Sequence, residues 1–360
     1  MMKKQIFAVF CAAFLTLTGC GNAKAPVPEA PSVTQAPQAV ETRRIYLELD
    51  ENNRIDGEVT VPSNPEVSVY SLTMPDLSPE ALFSAFLPEN SQGITRISSP
   101  GTVNFKKDSG QEIGTDSYGL CLSYTADPET AYTAGPESET ASLLYYYTQK
   151  HPDAAPHDLS FSTAEEMKQA ALDVFTRLNL SFEPELLHFV TLSGQEVLDF
   201  QQEMYGDPSY TEMGSPYRLT EGEDACYLEF TFSMDGVPVY SPEERSASFA
   251  DGVMSPYPVS ASMILNEEGI RHFYMVCAGT AEPDGVPQPI LSPEEAAQAL
   301  KEKYDLEIHF GEIVFDWVYL EYIPVMEGDR NVLKPYWCFD SPDFAERINA
   351  ITGEDLTYGG

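Results

Sequence analysis

Positive charge is scarce in this chain, which sets 20 Lys and Arg against 57 Asp and Glu over 360 residues, a formal net charge of −37. Recognition of phosphate backbones needs clustered Lys and Arg, and here the basic residues are scattered, so nucleic acid is excluded as a partner. Histidine and tryptophan are also sparse, at five and two residues. No Cys-x-x-Cys pair, Gly-x-Ser-x-Gly elbow, His-Glu-x-x-His helix or glycine-rich phosphate loop is present, which removes the common signatures of redox, acyl-transfer, zinc and nucleotide chemistry. No cofactor or metal ion is expected. A run of about 20 apolar residues, as a membrane-spanning helix requires, is missing as well: the stretch from Ile6 to Leu17 is shorter.

What is there begins with that stretch. Lys3 and Lys4 precede it, and it ends in Leu17-Thr18-Gly19-Cys20. A charged start, a short apolar segment and small residues before a cut site are the parts of a secretory signal. The ending resembles the lipobox of bacterial lipoproteins, in which the cysteine thiol receives diacylglycerol and becomes the mature N-terminus. By that resemblance residues 1–19 are a signal peptide, Cys20 carries the lipid, and the remainder works on the extracytoplasmic face of the cell membrane, anchored to it. Residues 20–42 are rich in Ala, Pro, Gln and Val, with Pro26, Pro28, Pro31 and Pro37 spaced through them. No periodicity there buries a face, so the segment reads as a tether with a reach of roughly 25 Å as a flexible coil.

Four cysteines lie beyond the lipobox, Cys121, Cys226, Cys277 and Cys338, each inside an alternating or apolar run. An exported chain can pair them as disulfides, and buried thiols fit the same positions.

Residues 43–150 read as a β-rich domain. Ile45, Leu47 and Leu49 alternate with polar residues, Glu51 to Asn53 supply a turn, and Val59 and Val61 resume the alternation. Ser78-Pro79-Glu80 starts a short helix to about Leu87, and strands are expected at 102–105, 118–124 and 142–148. His151 to His157, with Pro152 and Pro156, reads as a linker.

From residue 158 the pattern becomes an alternation of helix and strands with an internal duplication. Ser162 with Glu165, and Ser292 with Glu295 and Pro293, mark two capped helices with apolar faces. Tyr227-Leu228-Glu229-Phe230 downstream of the first parallels Tyr319-Leu320-Glu321-Tyr322 downstream of the second. An insertion around 196–224 explains their unequal spacing. The spacing predicts two units, 158–285 and 286–360, each a helix on a mostly antiparallel sheet, giving an α+β fold.

Gly236-Val237-Pro238-Val239, the helix from Ser292, Lys334-Pro335-Tyr336-Trp337 and the closing Ile348-Asn349-Ala350-Ile351-Thr352-Gly353-Glu354 resemble, in this order, the PepSY-like fold and the extracytoplasmic regulators of the YycH/YycI type. The layout also resembles that of Gram-positive lipoproteins with a β-rich N-terminal part. The resemblance covers residues 160–360 and implies a duplicated PepSY-like region with a protein partner. Those regulators use a membrane helix where this chain has a lipobox, so an intramembrane contact does not carry over.

Glu229 and Glu321 occupy matching places in the two units and form the pair to examine for acid–base hydrolysis, whereas Trp317 and Trp337 are the residues to examine for a glycan surface. The expectation from sequence is a non-enzymatic surface lipoprotein that contacts a protein partner, with cell-wall glycan or small-ligand binding as the alternative.

Overall fold

The structure is a computed structural model and describes residues 41–356 apart from 63, 76, 88–92, 100–101, 117–119, 127–135, 207–217, 241–258, 307–310, 329 and 343. The lipobox with Cys20 and the expected tether as far as Val40 lie outside them, whereas its last two residues, Glu41 and Thr42, are the start of a strand. Strand dominates. The N-terminal half supplies β1 (Glu41–Glu48), β2 (Arg54–Val61), β3 (Glu66–Val67), β4 (Tyr70–Thr73), α1 (Pro79–Phe86), β5 (Ile94–Ser99), β6 (Thr102–Lys107), β7 (Glu112–Asp116), β8 (Cys121–Thr125) and α2 (Pro136–Lys150). Then come α3 (Ala164–Leu178), β9 (Glu183–Leu192), α4 (Gly194–Met204), β10 (Ala225–Met234), β11 (Val237–Val239), β12 (Ala261–Asn266), β13 (Gly269–Met275), β14 (Thr280–Pro283) and β15 (Gln288–Pro289). The chain closes with α5 (Pro293–Tyr304), β16 (Val314–Glu327), β17 (Arg330–Asp340) and β18 (Ala345–Asn349).

The expected α+β arrangement, a β-rich domain followed by two PepSY-like units, is incorrect. Sixteen strands form one mixed sheet, and β3 and β15 a separate pair. The units do not close on themselves because β11 hydrogen-bonds parallel to β16, Val239 beside Tyr322. Strands from the N-terminal half enter the same sheet: β2 runs parallel to β16, β4 lies antiparallel between β17 and β14, and β8 pairs with β13. Such pairings join residues more than 140 positions apart, and hydrophobic alternation records which face a strand buries but not its neighbour.

Both capped helices serve one core. Met167, Val174 and Phe175 of α3, Ala296, Leu300 and Tyr304 of α5, and Leu82, Phe83 and Phe86 of α1 pack with Leu228, Phe230 and Phe232 of β10 and Leu320 and Tyr322 of β16. The opposite face of the sheet carries two smaller clusters. Tyr227, Val190 and Leu192 are covered by Leu143 and Leu144 of α2 and Val197, Phe200 and Met204 of α4. Tyr319, Ile323, Tyr336 and Cys338 form the other with Tyr240.

Locally the sequence is followed closely, with three shifts. Ser292 caps α5 through Glu295, but α3 is capped by Thr163 through Glu166, one residue later than the Ser162–Glu165 box. Residues 142–148 are helix, not strand: Leu143, Leu144 and Thr148 bury one side of α2, and helical packing over β9 and β10 outweighs the strand preference of three consecutive tyrosines. The inserted segment holds α4, capped by Ser193 and Glu196.

Candidate functional site

Three of the four residues singled out from sequence share the sheet face opposite the main core. Trp337 does not. Its ring is fully buried in the main core and its Nε1 donates to the Leu291 carbonyl at 2.9 Å, so it holds the chain ahead of α5 to β17. Plain strand alternation would set Trp317 on one face with Phe315 and Tyr319. A register irregularity between Phe315 and Trp317 turns Phe315 into the main core and Trp317 to the other side, where its ring lies 4.4 Å from that of Tyr319.

Glu321 is fully buried on that side and accepts a hydrogen bond from the Cys338 thiol at 3.4 Å. Cross-strand pairing sets Tyr319 beside Cys338 and Glu321 beside Tyr336, and continues to Arg347 and Asn349 on β18. Tyr319 Oη donates to Asp340 Oδ2 at 2.9 Å, and the Arg347 guanidinium forms a two-point pair with the Asp340 carboxylate. Burial pushes the Cys338 thiol well above the usual thiol range, Arg347 opposing it and Glu321 and Asp340 reinforcing it. Burial also raises the Tyr319 phenol, helped by Cys338 and Glu321. The thiol is held protonated and the Asp340 carboxylate is closed on Arg347, and together with the Cys338–Glu321 contact these bonds fix three strands together.

Glu229 is half-buried on β10, flanked by His188 and Ser262, and accepts from Tyr227 Oη at 3.2 Å. The ladder Phe232–Val239–Tyr322 places Glu321 level with Ser233, four residues from Glu229 and two strands across. Strand spacing puts the two Cα atoms about 16 Å apart, and each carboxylate accepts from a different neighbour, Glu229 from Tyr227 and Glu321 from Cys338.

A groove that sequence reasoning missed runs along β9. Among the described residues β9 is paired with β10 alone, so its other edge carries no strand. Five consecutive residues, Leu186 to Val190, line a groove of about 410 Å³ on that edge. Because alternate side chains point to opposite faces, a continuous run can line one groove only where the groove follows the strand's edge. One wall is the first turns of α3, Ala164, Glu165 and Lys168; the other is Thr148 at the end of α2 with His151, Pro152, Ala154 and Pro156. The residues read as a linker are thus one wall of a cleft.

Hydrogen bonds brace this wall. The His151 ring lies 4.4 Å from Tyr147 and 5.9 Å from Phe200. His157 N donates to Thr191 Oγ1 at 2.7 Å, tying the segment that follows the wall to β9. The Asp224 carboxylate accepts from Ser160 N at 3.1 Å and Gly194 N at 2.9 Å. Partial burial works to raise its pKa, but those hydrogen bonds and neighbouring His157 hold it below the ordinary carboxylate range. Glu196, which pairs with His157 at 3.2 Å, is lowered by the same balance, with Ser193 supplying the hydrogen bonds. At the other end Glu183 and Glu185 are exposed, and Leu187 stands 36% exposed where β9 slips its register against Glu229 and Phe230.

No family model matches the chain, and no curated protein matches it. Among solved structures, the crystal structure of an uncharacterized protein from Eubacterium rectale ATCC 33656 is similar over 87% of this chain and 93% of that one. The two share 14% sequence identity, with a TM-score of 0.49. Among the described residues no helix is long and apolar enough to cross a membrane, and no group of three or more His, Cys, Asp or Glu is arranged to hold a metal ion.

Proposed function

We propose that this chain is a lipoprotein of the extracytoplasmic membrane face, anchored through Cys20, that acts by binding a protein partner and performs no chemistry of its own. The observation that carries the reading is the walled groove along β9. Among the described residues β9 pairs with β10 alone, its stretch from Leu186 to Val190 floors the groove, and a strand with one paired edge invites pairing with another chain. The lipobox and proline-rich tether support placement outside the membrane, and a net charge of −37 favours a body held clear of anionic lipid. The separation of Glu229 from Glu321 and the protonated state of Cys338 support a binding role over hydrolysis.

Two measurements test this. The full chain expressed in its membrane should partition with lipid, and a Cys20→Ala form should not. Crosslinking at the surface of intact cells should recover a discrete protein adduct; recovery of glycan alone would favour the wall-binding alternative.

A further inference from the structure

We infer that this chain pairs with a second copy of itself through the outer edge of β1, antiparallel about a two-fold axis at Tyr46. The β9 groove plays no part in this contact, so the two readings stand or fall separately. Among the described residues β1 pairs with β2 alone, from Glu41 opposite Val61 to Glu48 opposite Arg54.

Two hydrogen bonds show which way its backbone points. Leu49 N donates to Asn53 O at 2.9 Å, and Arg54 N donates away from β1, to Ile313 O at 3.0 Å. Alternation along an antiparallel ladder then turns the main-chain groups of Ile45 and Leu47 toward β2 and those of Arg44, Tyr46 and Glu48 outward. An edge that presents such groups invites another strand unless its side chains repel one.

The side chains decide the occupant. Ile45 is buried and Leu47 half-buried against the main core, whereas Arg44, Tyr46 and Glu48 stand exposed on the opposite face, Tyr46 by 61%. The run Arg44-Ile45-Tyr46-Leu47-Glu48 is self-complementary about its centre. Antiparallel pairing about Tyr46 sets Arg44 of each copy opposite Glu48 of the other, on either side of a contact between the two tyrosines, and all three pairs exchange main-chain hydrogen bonds. Centring the pair on Arg44 or on Glu48 would put like charges face to face. Centring it on Ile45 or Leu47 would put Tyr46 opposite a charge and leave no ion pair within the strand.

In the single chain Arg44 pairs with Asp56 of β2 at 2.7 Å, and the Tyr46 hydroxyl donates to Glu48 at 3.2 Å. A guanidinium carries five donors and a carboxylate about four acceptor sites, so neither contact has to be given up when two copies meet. The ladder from Arg44 to Glu48 is short and covers far less than the roughly 1,000 Å² of a lasting interface, so the pair is weak in free solution. Anchoring through Cys20, as proposed, supplies the concentration: a two-fold axis along the membrane normal seats both copies on one leaflet at one height.

The test expresses two full-length copies with different tags in one cell, with a photo-crosslinking phenylalanine analogue in place of Tyr46 or, as control, of the exposed Val286. Illumination should join the two tagged copies through position 46, with the crosslink mapped to residues 44–48, and should not join them through 286. With Arg44→Glu in both copies, or Glu48→Arg in both, the yield should fall about tenfold, because each change opposes like charges at two places. Arg44→Glu in one copy with Glu48→Arg in the other should restore it, which a variant that failed to fold could not do. No joined copies through position 46, equal yield through 286, a crosslink mapped away from β1, a yield indifferent to the single changes, or no recovery in the mixed pair would each overturn the inference.

Discussion

The backbone N–H of His157 donates to the hydroxyl of Thr191 at 2.7 Å, and this one bond ties the wall of the groove to the strand that forms its floor. Thr191 is buried, so the hydroxyl meets a donor that water cannot easily serve instead. Thr191→Val keeps the shape of the side chain and removes the acceptor. The expected cost is about 1–3 kcal/mol, read as a lower denaturant midpoint at constant slope, with faster hydrogen exchange at residues 157–160. An unchanged midpoint and unchanged exchange would mean that the wall is held elsewhere.

Acid should loosen the same wall. Asp224 and Glu196 both have depressed folded-state pKa values, so each contributes stability that is present above its unfolded pKa, near 4 to 4.5, and lost as pH falls through the lower folded value. Denaturant midpoints measured from pH 7 down to pH 3 should fall over the acid end of that range, less steeply for Asp224→Asn, which retains an amide oxygen but no titrating proton. Identical pH profiles for the two proteins would contradict the assignment. Glu196 is exposed and Asp224 half-buried, so the effect is modest and weakens with salt.

Local features were legible in the sequence wherever a few adjacent residues determine the outcome. Ser292, Pro293 and Glu295 mark the start of α5, Ser78 and Pro79 that of α1, and Asn266 to Gly269 the turn between β12 and β13. What decided the architecture was not local. Nothing in Val237-Pro238-Val239 says that it bridges β10 to β16, and nothing in Arg54 to Val61 says that it lies beside β16. Two helix-and-strand units of similar pattern therefore read as two sheets when they share one. The groove was hidden for a related reason: its walls come from 148–156 and 164–168 and its floor from 186–190, and an unpaired edge leaves no mark on side-chain alternation.

The two tryptophans should behave differently. Trp337→Phe removes the Nε1 donor to Leu291 and leaves space in the main core, at an expected cost of about 2–4 kcal/mol. Trp317 is half-buried beside Tyr319, and Trp317→Phe should cost about 1 kcal/mol or less. Chemical denaturation of the two variants checks the order, and the reverse order would show that the main core has been misassigned.

Thiol reactivity separates the cysteines. Burial raises Cys226, Cys277 and Cys338, with Cys277 pushed up to about 12, whereas Cys121 is half-buried. Iodoacetamide at pH 7.5 should label Cys121 first in the folded protein and the other three only after unfolding, as read by mass spectrometry of peptides. Early labelling of Cys338 would show that the Glu321–Cys338 face opens in solution.

The buried pair Arg347–Asp340 is predicted to be costly to break. Arg347→Met leaves the Asp340 carboxylate in the interior with Tyr319 but without its cation, an expected loss of about 3–5 kcal/mol in unfolding free energy. Replacing both, Arg347→Met with Asp340→Leu, should recover a large part of that loss. A double variant as unstable as the single one would mean that the pair contributes more than compensation of its own burial.

The central claim, that the β9 groove is where this chain meets a protein, is tested most directly by a photo-crosslinking amino acid placed at Leu187 on the full chain in intact cells. The exposed Val286 serves as the control position. The account predicts a protein adduct at Leu187 that is absent at Val286. Adducts of equal yield at both positions, an adduct containing glycan alone, or no adduct at Leu187 would contradict it.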